Sequence, residues 1–374
     1  MLSFARNDRS ILGRWWWTVD RLALVALGLL SLFGSILIMA ASPAVATRIG
    51  LDNFHFVERH VMMLLPALAI TFAVSLLSPR QVRRAAIVVF AVSVALVALT
   101  LVAGVEIKGA RRWIHIPGVS IQPSEFVKPA FALVAAWLFA QARNEGNWLY
   151  YALSMALYGV IAGLLLLQPD LGMTFVITCV WFAQFFLAGL PIMLVVVLGA
   201  LGVAGLVGAY FTLDHVRSRI DRFLSPDAGD NFQVEKSLEA FMNGGLFGTG
   251  PGEGTVKMLI PDAHADFVFA VAGEEFGLLW CLLIVGLFAF IVLRGFGRII
   301  QDNNLFCLLA ASGLLVQFGL QALINMGSTL HLMPTKGMTL PFVSYGGSSL
   351  IALGFGAGMM LALTRKRFGA GDEA

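Results

Sequence analysis

Between Pro261 and Gly277 the chain reads PDAHADFVFAVAGEEFG, which sets Asp262, His264, Asp266, Glu274 and Glu275 just ahead of the apolar run LLWCLLIVGLFAFIVL. Ionisable side chains beside hydrocarbon cost several kcal/mol unless they are paired or hydrated, so such a group needs a chemical or structural reason. Read as one straight helix, a rise of about 1.5 Å per residue puts Glu274 about 12 Å beyond Asp266 and turns Glu275 to the opposite face, so the three do not share a site. Asp266 falls at the outermost edge, within reach of water and substrate. Asp262, one turn earlier, is placed to act with it, and His264 points elsewhere. On spacing alone Asp266 is either a proton acceptor or a solvated cap. Glu274 and Glu275, where the apolar run begins, are expected to pair with loop cations.

Three further groups combine polar and apolar residues in the same way. KGARRWIHIPGVSIQPSEFVK places Lys108, Arg111 and Arg112 beside Trp113. Arginine forks match phosphate oxygens, so this cluster either holds a phosphate or pyrophosphate or anchors the chain at a membrane interface. In the same stretch Glu125 and Lys128 stand three apart, the spacing of an intrahelical ion pair. Asp170 in QPDLG has the position of a turn residue and helix N-cap. STLHLMPTKGMTLPFVSYGGSS brings Lys336 and Ser344, both candidate substrate-binding residues, among Pro334, Pro341, Gly346 and Gly347. Prolines and glycines at membrane depth imply irregular backbone, tolerated where protein buries it or a wet cavity adjoins it. The stretch is therefore a cavity wall or a rigid re-entrant loop with no ligand. No phosphate-binding nucleotide loop or dinucleotide fingerprint occurs, so an activated, lipid-linked substrate that brings its own driving force fits better than cytoplasmic nucleotide.

The elements that must hold these groups follow from composition. Of 374 residues 59% are hydrophobic and 13% charged, against roughly 25% charged in ordinary soluble chains. The fold class is an all-α polytopic membrane protein with about ten spans, near 21–41, 61–78, 85–104, 126–142, 149–168, 171–189, 191–211, 268–293, 305–326 and 344–364, forming a single transmembrane domain. The first apolar run exceeds the length of a secretory signal core and reads as a retained span, with cleavage after Ala44–Ala46 as the alternative. Residues 1–20 form an interfacial segment anchored by Trp15, Trp16 and Trp17, and 365–374 a short tail. Arg6, Arg9, Arg14, Arg21, Arg80, Arg83, Arg84, Arg294, Arg298, Arg365, Lys366 and Arg367 fall on one side if the spans alternate. The positive-inside rule makes that side cytoplasmic, with both termini inside. Loops 105–125, 212–267 and 327–343 then lie outside, the long one carrying a helical signal from Phe232 to Phe241. Cys179, Cys281 and Cys307 lack metal-ligand or disulfide spacing and read as packing residues. The net charge of +3 is too small to suggest nucleic-acid binding.

GARRWI, QPSEFVK, QPDLG, HADFVFAVAGEEFG and LPFVSYGGSS, in this order and over nearly the whole chain, resemble the SEDS family (shape, elongation, division and sporulation; the FtsW, RodA and SpoVE proteins). KGMTLPFVSYGGSS and AVAGEEFG look more like its division members than its elongation members. The resemblance implies a ten-span bundle with a large extracytoplasmic loop between spans seven and eight. It implies a glycosyltransferase of the bacterial inner membrane, at the division site, that polymerises lipid II into peptidoglycan. It further implies a donor glycan strand on undecaprenyl pyrophosphate and transfer with inversion. The family's essential aspartate, in its H-x-D-F motif, maps onto Asp266. Ala265 stands where the family often has threonine, and Asp262 where it often has glutamate, which leaves specific roles for those side chains in doubt. The leaving pyrophosphate would meet Lys108, Arg111, Arg112 or Lys336, with a divalent cation (Mg or Mn) left open. Implied partners are a class B penicillin-binding protein of the FtsI type, a transpeptidase, and other divisome proteins. A lipid II flippase, an elongation-type polymerase and a non-catalytic scaffold are the alternatives.

Overall fold

A computed structural model describes residues 10–107, 110–116, 119–189, 191–212, 214–224, 232–334 and 337–366. The chain opens with a short helix, α1 (Ile11–Thr18), whose first turn is capped by Ser10 and whose Trp15 indole donates to the Ser75 hydroxyl. Spanning helices follow as α2 (Arg21–Arg48), α3 (His55–Ser75), α4 (Pro79–Ala103), α5 (Pro123–Glu145), α6 (Leu149–Leu167), α7 (Leu171–Leu187) and α8 (Ile192–Thr212). Two shorter helices, α9 (Asp214–Leu224) and α10 (Phe232–Gly244), precede α11 (Val268–Ile299), α12 (Leu305–Thr329) and α13 (Gly347–Leu363). Eight of these meet the length and apolarity of a membrane crossing, and α7 and α13, each 17 residues, are shorter apolar helices in line with them. The protein is therefore a helical membrane protein of about ten spans.

Several boundaries differ from the expectation for local reasons. Ser78 and Gln81 form a reciprocal capping box with Pro79 at the first helical position, so α4 starts early and takes Arg80, Arg83 and Arg84 into its first turns. The last span begins at Gly347 rather than 344, because Leu340–Tyr345 is folded as a turn with Phe342 at a positive φ of 62°. The segment after α4 is not plain loop. It is a three-stranded antiparallel sheet of β1 (Val105–Ile107), β2 (Ala110–Ile116) and β3 (Val119–Ile121) in the order 1-2-3, the β structure found among the described residues.

The core centres on α5 and α12, whose apolar windows are 83% and 72% buried, against 0% for α8 at the edge of the bundle. Asp20 closes one end. It caps α2 and pairs with Arg294 and Arg298, each at 2.7 Å, while Arg298 donates to the carbonyl at the end of α13 and Arg365 to carbonyls at the end of α3 and to the Thr18 hydroxyl. The sheet, the segment before α11 and the segment before α13 gather at the opposite end. There the Gln122 amide donates to the Ser348 hydroxyl, and Tyr345 donates its amide to the His264 carbonyl.

Candidate active site

Asp266 does not lie on a helix. The amides of Ala265 and Asp266 both donate to the Asp262 carbonyl, turning the chain through Asp262 at φ 53°, and α11 starts two residues later at Val268. The helical spacing expected for Asp262, Asp266 and Glu274 is replaced by a turn that leaves Asp266 half-buried at the rim. The His264 ring packs in a triad with Phe56 and Tyr345, with centroids 4.1 and 5.1 Å away. Burial pulls its pKa down to about 4 against the opposing charge of Asp262, so the imidazole is neutral at pH 7.

The second wall is the segment from Gly337 to Leu340. A Cβ added at Gly337 would stand 3.1 Å from Asp266 Oδ2, so the carboxylate lies against bare backbone there. From below, two amides of α12 reach this wall. Asn325 Nδ2 donates to the carbonyls of Asp266 (3.0 Å) and Met338 (2.6 Å), and Gln321 Nε2 donates to the carbonyl of Thr339 (3.0 Å). Gln321 Oε1 in turn accepts from Lys128 Nζ at 3.0 Å, and Lys128 pairs with Glu125 at 2.8 Å, both nearly excluded from solvent. Glu125 and Lys128 thus form a buried ion pair tied to the same support. Sequence reasoning missed Gln321 and Asn325. Two amides at i, i+4 in an apolar span are a signal for buried polar work, one that could have been read.

The cationic stretch divides. Arg112 is committed to structure: its guanidinium donates to the carbonyls of Gln168 and Pro169 and lies 3.2 Å from Asp170, which itself caps α7. Expected at a phosphate, Arg112 has its donors on these contacts, which pin β2 to the turn between α6 and α7. Arg111 pairs with Glu106 at 3.3 Å, and both side chains are about half exposed. Lys108 and Lys336 lie outside the described residues. Arg59 faces Tyr345, holding back the rise that burial imposes on the phenol.

Ser344, expected among the substrate-binding residues, lies within the turn before α13. It is 1% exposed, and its hydroxyl accepts from the Leu340 amide at 2.8 Å, so it closes the turn instead of facing a cavity. Glu275 pairs with Lys257, both buried. Among the described residues Glu274 meets no such cation. Its carboxylate accepts from Asn243 Nδ2 and from the amides of Val256 and Lys257, at 3.0, 2.7 and 2.7 Å. Together they dock the loop after α10 onto α11. The dock needs Gly277, which breaks α11 at φ 79° and whose added Cβ would stand 2.4 Å from the Gly248 amide nitrogen. Across the break Leu278 donates to the Gly245 carbonyl, and Thr249 and Gly250 donate to those of Glu274 and Glu275. Among the described residues no three His, Cys, Asp or Glu side chains converge to hold a metal ion.

The fold and site define a polytopic helical membrane protein that presents one half-buried aspartate in a backbone cradle at the end of its bundle, braced by an amide ladder and a docked glycine-rich loop. The family model described as "Cell cycle protein", covering FtsW, RodA and SpoVE, matches residues 20–368. The chain belongs to that family. It is 46% identical to a protein of Caulobacter vibrioides named "Probable peptidoglycan glycosyltransferase FtsW", over 98% of this chain and 95% of the relative. A Coxiella burnetii protein of the same name is 36% identical over 93% and 95%. Among solved structures, a chain of a peptidoglycan synthase complex, described as coordinating polymerization and crosslinking, superposes with a TM-score of 0.77 at 30% identity, covering 92% of this chain and 97% of that one. The Thermus thermophilus rod shape determining protein RodA superposes at 0.70 with 29% identity, over 93% and 97%.

Proposed function

We propose that this chain is a peptidoglycan glycosyltransferase that polymerises lipid II into glycan strands for the septum, with Asp266 as general base. The observation that carries the reading is the placement of Asp266, the half-exposed carboxylate of the family's motif, in a polar backbone cradle where apolar helices end. The 4-hydroxyl of the acceptor's N-acetylglucosamine gives its proton to Asp266 as its oxygen attacks the anomeric carbon of the donor. The new glycosidic bond forms on the face opposite the breaking one, which inverts the centre, and undecaprenyl pyrophosphate departs with the bonding electrons. A positioned base contributes about 10²–10⁴-fold to such a step. The departing charge needs cations. Arg111 at the rim, and Lys108 and Lys336 by their place in the sequence, are the residues assigned to it.

The arginine-rich end closed by Asp20 is the cytoplasmic end by the positive-inside rule, which puts both termini inside and Asp266 outside. The chain is then a single transmembrane domain with 212–267 extracytoplasmic. A shallow apolar groove between α2 and α11, lined by Phe33, Leu37, Ala272, Phe276 and Trp280, supports a lipid-facing path for a prenyl chain. The structural likeness to a chain of a synthase complex supports a crosslinking partner, a class B penicillin-binding protein. The test is polymerisation of labelled lipid II by the purified protein with that partner. Asp266→Asn is expected to give a folded protein and no polymer, and a variant that still polymerises overturns the base assignment. Movement of lipid II across proteoliposome bilayers with no chain growth would identify a transporter instead.

A further inference from the structure

We infer that Asn325, seconded by Gln321 one turn away, is a positioning residue that sets the Asp266 carboxylate against the Gly337 wall; the inference rests on Asp266 being the base. Asp266 and Met338 belong to two stretches of irregular backbone, one before α11 and one before α13. A carbonyl in such a stretch that is not taken up by a turn of its own segment needs a donor from elsewhere, and leaving it buried and unpaired costs about 1–3 kcal/mol. Here α12 supplies the donors. The side chain of Asn325 is fully buried, and its single NH2 group reaches both segments, 3.0 Å to the Asp266 carbonyl and 2.6 Å to that of Met338. Both acceptors are carbonyl oxygens, so only a head with two donors satisfies them and the amide orientation is dictated by chemistry.

Gln321, four residues earlier on the same helix face, repeats the device toward the Thr339 carbonyl at 3.0 Å. The two rungs hold residues 338 and 339 as a unit. They thereby fix Gly337, whose backbone faces Asp266 Oδ2 so closely that a Cβ there would stand 3.1 Å away. Asn325 is shut off from solvent and substrate, so it acts through the backbone of Asp266 and touches no reacting atom. Losing it leaves the base in place but lets the two walls drift. A misplacement of about 1 Å costs on the order of 10²-fold in rate.

The test compares Asn325→Asp, Asn325→Leu and Gln321→Met with the parent and with Asp266→Asn, as purified full-length protein with its transpeptidase partner and labelled lipid II. Initial rates are taken against substrate concentration and pH, and thermal unfolding of each variant in nanodiscs is recorded alongside. Both Asn325 variants are expected to lower kcat by about ten- to a hundredfold with KM within about twofold, since uniform binding is untouched. The acid limb of the kcat/KM profile, which reports the base, should move. Gln321→Met, which frees the Thr339 carbonyl and takes one acceptor from Lys128 but leaves the Asp266 and Met338 carbonyls paired, should give a smaller loss of kcat in the same sense, and it carries the test if the Asn325 variants do not fold. A full kcat in these variants, or a loss confined to KM, overturns the positioning role while an inactive Asp266→Asn keeps the base reading intact. An active Asp266→Asn overturns the base reading, and this inference with it.

Discussion

The Lys257–Glu275 pair offers a quantitative check on how the large loop is held. Both side chains are within 5% of full burial, and the pair links the short turn after the glycine cluster to the outer end of α11. Replacing Lys257 by Met keeps the aliphatic stem but leaves the Glu275 carboxylate in a site that water does not reach. Removing one partner of a buried ion pair costs about 3–5 kcal/mol, whereas replacing both by apolar residues of similar volume is often neutral or favourable. Lys257→Met is therefore expected to destabilise by about 3–5 kcal/mol, and Lys257→Met with Glu275→Leu to recover to within about 1 kcal/mol of the parent. SDS titration in mixed micelles, followed by the fluorescence of the eight tryptophans, measures both variants and closes the double-mutant cycle with Glu275→Leu. If the double variant is as unstable as the single, or the single loses less than about 1 kcal/mol, the pair is not what seats the loop and the desolvation argument fails.

Gly277→Ala puts a Cβ on a residue at φ 79° and against the Gly248 backbone. It should cost at least about 1–2 kcal/mol and expose the loop around Gly250 to limited proteolysis. Arg112→Ala should lower thermal stability with little change in KM, because its donors are spent on Gln168 and Pro169. Arg111→Ala should do the reverse, leaving stability within about 0.5 kcal/mol and weakening substrate affinity most at low salt. His264 makes stability depend on pH. Its folded pKa of about 4 lies below the ordinary 6.5, so the unfolded chain binds the extra proton and stability falls as pH drops from 6.5 to 4. The loss approaches about 3 kcal/mol, and comparing the parent with His264→Phe isolates that part of the slope.

Much of this protein was legible in its amino-acid order because the bilayer imposes a one-dimensional rule. A span must be about 20 apolar residues, and the runs from Arg21 to Leu363 meet or approach it, so ten spans and their alternation can be counted. Pairings between residues three apart on one helix, such as Glu125 with Lys128, need no more than helical geometry. Asp170 likewise takes the capping role that its place before Leu171 implies.

Where contacts join distant segments, local rules ran out. Glu274 and Glu275 are neighbours in similar surroundings, yet one is held by two amides and an asparagine and the other by a lysine, because the loop folds back across the break at Gly277. Arg111 and Arg112 are adjacent, and the strand's alternation sends one to solvent and the other onto the turn after α6. The straight helix tried for the stretch through Asp266 gives way to the turn at Asp262. The sequence by itself determined about ten crossings and the basic end, which follow from transfer free energies along the chain, and it singled out the aspartate worth testing through its likeness to the family's motif. Only the tertiary structure decided which cations are spent, which carboxylates are sealed and what braces Asp266, because those depend on which buried donors meet which carbonyls once the helices pack.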